Sequence, residues 1–241
     1  MLGISVITLT TWALRFAIAA PVIAITLLAL FRFGVMDFRL PLLGVAVASL
    51  LAVIALLLGA MALIGGYGGD GEPTQKAVIA VVLALVVLYA PLSTLRKGGN
   101  VPPIHDISTD LDSPPVFTAV PATRADSDNS LDINADVQAQ QKAFYTELAP
   151  LRLAGSPSDN FAKALAAAEA MGWDIVAQDA SAGTLEATAT TAMFGFKDDV
   201  SIRLTSDAGA TKVDVRSASR VGLSDLGANA ARIEAYLAAL K

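Results

Sequence analysis

An α+β domain carried on three N-terminal transmembrane helices is the architecture this sequence predicts. The domain is expected to hold a four-stranded antiparallel sheet with helices packed on one face. Two observations lead there. Apolar residues crowd into three long runs within the first hundred positions. Later, two segments of helical period bracket four stretches of strict alternation. The expected division is a three-span region over 1–97, an extended Pro-rich strap or linker over 98–136, and a soluble domain over 137–241.

Charge follows the same division. Through Lys97 there are six basic and three acidic residues, net +3; from Gly98 onward there are eleven and nineteen, net −8. An acidic soluble part lacks the basic footprint that nucleic acid demands, so that partner class is excluded. The chain has no cysteine, which removes disulfides, thiolate metal sites and a thiol nucleophile.

The apolar runs cover about 12–31, 40–64 and 77–95. A bilayer crossing needs about 20 residues at helical rise, and all three have that length. Arg15 sits near the start of the first run, where its side chain can reach the head groups. Pro21 and Pro91 are compatible with spans whose neighbours satisfy the freed carbonyls. The first run is too long for a signal-peptide core, lacks a basic flank and is followed by two more spans. The Gly-rich turn 65–73 joins the second and third spans. It has no Lys-Ser/Thr ending, so it is no phosphate cradle. Arg32, Arg39, Arg96 and Lys97 lie on one side of the membrane, Lys76 and Arg15 on the other. The charge count therefore leans towards a cytoplasmic carboxyl-terminal domain.

Beyond Lys97, two Pro-Pro pairs (102–103 and 114–115) impose extended backbone, and 121–136 reads as a polar surface loop. A helix is expected over 137–148, with Phe144 and Leu148 inward. Ser156-Pro157 starts another, carrying Phe161, Leu165, Ala168 and Met171 on one face and ending at Gly172. Strands follow over 173–178 and 184–191, then at Val200, Ile202 and Leu204, then at Val213 and Val215. Ser224 or Asp225 caps a final helix with Leu226, Ile233, Leu237 and Leu240 inward. Such a domain leaves its second sheet face to solvent or a partner.

The polar chemistry concentrates in residues 194–232. Arg203, Asp214 and Arg216 share the face opposite the aliphatics, where a cross-strand salt-bridge ladder is the plain reading. The alternative is an anion or partner site built from Arg203, Arg216, Ser219, Arg220 and Arg232 with the helix start at Ser224, since free amides there favour negative charge. Asp225 opposes a phosphate by occupying those amides itself. Asp198 and Asp199 are neighbours on a strand and point to opposite faces, which prevents them from sharing a metal. His105, the single histidine, has Asp106, Asp110 and Asp112 nearby, but one His with scattered aspartates builds no zinc site. No G-x-S-x-G is present. No catalytic residue, metal or cofactor is assigned.

Several separated motifs carry a family resemblance. They are 101–110 (Val-Pro-Pro-Ile-His-Asp-Ile-Ser-Thr-Asp), Gly172-Trp173, 194–199 (Phe-Gly-Phe-Lys-Asp-Asp), 213–222 (Val-Asp-Val-Arg-Ser-Ala-Ser-Arg-Val-Gly) and 224–232 (Ser-Asp-Leu-Gly-Ala-Asn-Ala-Ala-Arg). Together they resemble the DUF1499 family across 101–241. That family has no assigned function and supplies no catalytic residues. The resemblance implies a compact domain, exported or membrane-attached, with relatives in bacterial envelopes and plastids. It therefore points to the periplasmic side of a bacterial inner membrane, against the charge count. The expected role is a non-enzymatic accessory or protein-interaction module at the membrane surface, with membrane lipid and a membrane-protein partner. Binding of an anionic lipid or small ligand at Arg216, Arg220 and Ser224 is the second expectation.

Overall fold

In the first ninety-odd residues, apolar side chains occur on every side of the helical turn, so burial against protein alone cannot satisfy them. The computed structural model describes residues 5–64 and 71–241, and the chain divides into two units, Met1–Arg96 and Lys97–Lys241. The first unit consists of α1 (Val6–Arg32), α2 (Arg39–Ile64) and most of α3 (Glu72–Gly98). All three are long and apolar enough to cross a membrane. Residues 65–70 of the expected Gly-rich turn lie outside the described residues.

Small residues decide how these helices approach. Ala13, Ala17 and Ala20 of α1, Ala48, Ala52 and Ala55 of α2, and Ala80 and Ala84 of α3 form one buried cluster. Their spacing of three and four puts them on one stripe of each helix. A Cβ added to Gly59 would lie 2.8 Å from Val81 Cγ2. Large side chains such as Ile25, Leu50 and Val86 point outward, as a lipid-facing surface requires. Pro21 and Pro91 both fall inside continuous helices.

In the second unit, β3 (Asp174–Asp179), β4 (Thr184–Thr190), β5 (Lys197–Asp207) and β6 (Ala210–Ser219) form the expected meander. Two more strands join it. β1 (Asp106–Ser108) and β2 (Leu151–Ala154) both pair antiparallel with β6, β1 through Asp106↔Ala218 and β2 through Leu151↔Val213. The sheet therefore has six strands, not four, ordered β1-β6-β5-β4-β3 with β2 also on β6. Strands of three and four residues are too short to show a period of two, which is why alternation misses them. β1 also lies inside the Pro-rich stretch expected as a linker, so three residues of that stretch belong to the sheet.

One sheet face is aliphatic. Leu185 and Ala187 of β4, Val200, Ile202 and Leu204 of β5, and Val213 and Val215 of β6 are all buried there. α5 (Pro157–Ala170) and α6 (Ala228–Ala239) cover this face. Ser156 and Asp159 form a reciprocal capping box at the start of α5. Trp173 stacks on Tyr236 at 5.1 Å, and the Tyr236 hydroxyl donates to Ala164 O at 2.9 Å. α4 (Ala135–Phe144) binds the sheet edge through Gln141, whose side-chain amide accepts from Ser108 N at 3.0 Å and donates to Ser108 O at 2.5 Å.

Two expected core residues are instead exposed. α4 ends at Phe144, so the period breaks there. Phe144 is about half exposed, and Tyr145 packs against the core in its place. Leu226 precedes α6 and has φ +55°, which turns it outward.

Candidate functional site

The second sheet face is polar, and the chain itself covers it. Residues 110–131 run across this face as a strap, which corrects the expectation of a face open to solvent or a partner. The physical reason is hydrogen-bond satisfaction. Apart from a 3-10 turn over Val120–Thr123, the strap has no regular structure to pair its amides and carbonyls, and the charged sheet residues supply their partners.

Glu186 of β4 holds the middle of the strap. Its carboxylate accepts from the backbone amides of Thr118 (2.7 Å), Ala119 (3.0 Å) and Val120 (2.8 Å) and from the Thr118 hydroxyl (2.5 Å). Three successive amides converging on one carboxylate form an anion nest filled from within the fold. Ser201 of β5 donates to Val116 O at 2.8 Å beside it.

Asp199 is fully buried between two guanidinium groups. Arg220 reaches it with Nε at 3.0 Å and Nη2 at 2.8 Å, Arg124 of the strap pairs with its other side, and the Thr188 hydroxyl donates at 2.8 Å. The remaining Arg220 donors go to Thr123 O and Oγ1, each at 2.9 Å. Arg216 makes a two-pronged pair with Asp106, at 3.0 and 2.6 Å, donates to Leu131 O at 2.7 Å and lies over the Phe117 ring. Arg203 donates to Asp214 at 3.0 Å and Ser113 O at 2.8 Å. Lys212 joins Asp110 at 2.7 Å and Asp214 at 3.3 Å. The ladder reading thus describes this face in part: Arg203 lies opposite Asp214 in the register of β5 and β6, but most of the other partners come from the strap.

Asp198 points to the other face. There it meets Arg232 of α6 at 2.5 Å, and Arg232 also donates to Asn229 Oδ1 and to Ser217 Oγ. The Asn229 amide donates to Ser219 Oγ at 2.9 Å and to His105 O at 3.0 Å. This network closes one end of the helix-covered core, where the aliphatic side chains give out.

The six residues of the expected anion or partner site therefore do not converge. Arg203, Arg216 and Arg220 lie under the strap, while Ser219 lies under α6 and Arg232 projects from that helix. Ser224 is in the loop before α6, where its hydroxyl accepts from Leu226 N at 3.2 Å. The final helix begins at Ala228 behind Gly227, whose φ of +85° suits glycine. Asp225 takes the helix-start amides, accepting from Gly227 N at 2.7 Å and Asn229 N at 2.9 Å. Burial pushes the Asp225 carboxyl above its ordinary value, and Asp198 adds to the rise although both amides oppose it.

The acids near His105 also separate: Asp106 goes to Arg216, Asp110 to Lys212, and Asp112 stays in the strap turn. Among the described residues no three His, Asp or Glu side chains group together as a metal site would need. Sequence reasoning passed over Arg124, Asn129 and Glu186, which hold the strap. Asn129 donates to Ser219 O and Gly222 O from a loop ninety residues away. Nothing local in the sequence marks such partners. Glu186 offered a clue, being an acid in the middle of an otherwise small, alternating strand.

Comparison with known proteins fits this folded unit. No curated protein matches the chain. The family model described as a protein of unknown function, DUF1499, matches residues 106–240. The match starts at the first residue of β1 and ends just past α6, so it takes in the strap with the sheet it covers. The chain is a member of the DUF1499 family, with its family domain preceded by three helices long and apolar enough to cross a membrane.

Proposed function

We propose that this protein is a non-enzymatic, multi-pass protein of the bacterial inner membrane whose DUF1499 domain is an accessory, protein-interaction module at the membrane surface. One observation supports this most: the polar residues that would be recruited for chemistry are spent inside the fold. Arg216 and Arg220 are nearly buried, and their donors are engaged by Asp106, Asp199 and strap carbonyls. A group fixed by a charge-assisted hydrogen-bond network serves shape and specificity better than proton transfer. With the polar sheet face covered, a partner would meet the outer surface of the strap and the domain's loops.

The same burial weighs against an anionic lipid or small ligand at Arg216, Arg220 and Ser224. Such a ligand would have to displace Asp106 from Arg216 and Asp199 from Arg220, leaving Asp106 without its ion pair and buried Asp199 with Arg124 alone. The family likeness supports the periplasmic side, against the lean of the basic residues.

The test is affinity purification of the tagged full-length protein in mild detergent from its native membrane. A stoichiometric membrane-protein partner is expected, and recovery as a lone species would count against the reading. The side of the membrane is read separately with Asp128→Cys in this cysteine-free chain. Labelling by an impermeant thiol reagent in intact spheroplasts is expected for a periplasmic domain, and protection would place it in the cytoplasm.

A further inference from the structure

The end of the DUF1499 domain at which the chain enters it also carries bare apolar loop tips. Leu223 is 85 % exposed and Met193 is 58 % exposed, and Leu226 is about half exposed beside them in the loop preceding α6. Strand directions place these loops together. β4 ends and β5 begins around the 191–196 loop, β6 ends into the 220–227 loop, and Arg220 N donates to Lys197 O at 3.0 Å between them. Residues leading into β1 share this end: Asp225 N donates to Ile104 O at 3.0 Å, and Ser219 N donates to His105 O at 2.8 Å.

Gly98 makes the connection to the span. It is the last residue of α3, and a Cβ added there would stand 3.2 Å from Leu226 Cβ. The membrane-crossing stretch of α3 ends at Arg96. Gly98 follows that stretch by two positions in the chain. An exposed leucine costs free energy in water, and a shallow seat in the acyl–headgroup boundary relieves that cost.

We infer that Leu223, together with Met193 and Leu226, forms a lipid-seating tip that inserts into the interfacial region of the membrane holding the spans. The seat fixes how the domain stands on the bilayer, and it holds whether or not a protein partner exists. The attraction is apolar. Asp126 and Asp128 sit in the loop whose Asn129 bonds to Gly222 O, and exposed Lys197 lies at the same end, so the charges here are of both signs and make no basic patch. Anionic lipid is therefore not required.

The experiment uses the full chain in nanodiscs of phosphatidylcholine, with an environment-sensitive fluorophore on a single introduced cysteine. Leu223→Cys is compared with Ala182→Cys in the turn between β3 and β4, at the opposite end of the sheet. The expected result is blue-shifted emission at 223, lost to a shallow lipid-borne quencher and insensitive to iodide, with the reverse at 182. Replacing a third of the lipid with phosphatidylglycerol should leave the 223 signal unchanged. Iodide quenching at 223 equal to that at 182 would overturn the seat. A 223 signal that becomes lipid-shielded only with phosphatidylglycerol would overturn its apolar basis. No partner is present, so either outcome is independent of the co-purification result.

Discussion

Asp198 and Asp199 are consecutive in β5 yet serve opposite faces of the sheet: Asp198 pairs with Arg232 beneath α6, and Asp199 lies between Arg124 and Arg220 beneath the strap. Two adjacent carboxylates thereby fasten a helix to one side of the sheet and an irregular segment to the other. The alternation of strand side chains makes this possible without any change in backbone path. Both pairs are buried, so each depends on its partner being present.

The Asp199 triad should be intolerant of single deletions. Arg220→Met leaves a buried carboxylate with one guanidinium, and a loss of about 3–5 kcal/mol of stability is expected. Asp199→Leu alone strands both Arg124 and Arg220, and the double variant should cost less than the sum of the two single losses. Denaturant unfolding followed by Trp173 fluorescence, in a Trp12→Phe background, gives both values. Strict additivity of the two substitutions would show that they do not communicate.

Glu186 should govern the strap more than the sheet. In Glu186→Ala the amides of Thr118, Ala119 and Val120 lose their acceptor, at about 1–3 kcal/mol for a buried group left unsatisfied. Hydrogen exchange at these three amides should accelerate while exchange within β5 and β6 changes little. Uniform acceleration across the domain would mean that strap and sheet open as one unit.

The Asp110–Lys212 pair sets a pH dependence whose sign can be worked out. For Asp110, burial pushes the carboxyl upward, but bonds from Lys212 and the Ser113 amide outweigh it and hold the group below its ordinary 3.8. Lys212 is held above its ordinary 10.5, chiefly by its bond to Asp110 and against the effect of burial. A lowered acid stabilises above 3.8 and loses that contribution as pH falls through its folded value. A raised base stabilises below 10.5 and loses its contribution as pH rises through its folded value. Lys212→Met should thus cost about 1 kcal/mol at neutral pH. Unfolding curves should show the gap from the parent closing at both acid and alkaline extremes. A constant gap would assign the loss to packing.

Within the spans, Gly59→Leu should separate α2 from α3, since an added side chain meets Val81 Cγ2 and the Ala77 carbonyl. Overpacking of this kind costs about 1–3 kcal/mol. The thermal midpoint of the detergent-solubilised protein should fall, whereas Leu50→Ala, on an outward-facing position, should leave it nearly unchanged.

What the sequence determined by itself was whatever repeats locally. Three apolar stretches longer than a bilayer's span, the period of α5, the Ser156–Asp159 cap and the alternation of β3 to β6 each rest on neighbours within a few positions. So does the divergence of Asp198 from Asp199. Only the tertiary structure decided the rest, because the deciding contacts join distant parts of the chain. β1 and β2 are strands because β6 offers them an unpaired edge, and Gln141 can bond to Ser108 because α4 lies alongside. Arg216 and Arg220 looked available as an anion site, since nothing near them in sequence announces Asp106, Thr123 or Leu131. Burial turned a row of charges into internal fastenings: once a strap with unpaired amides is laid over charged side chains away from water, each must become the other's partner.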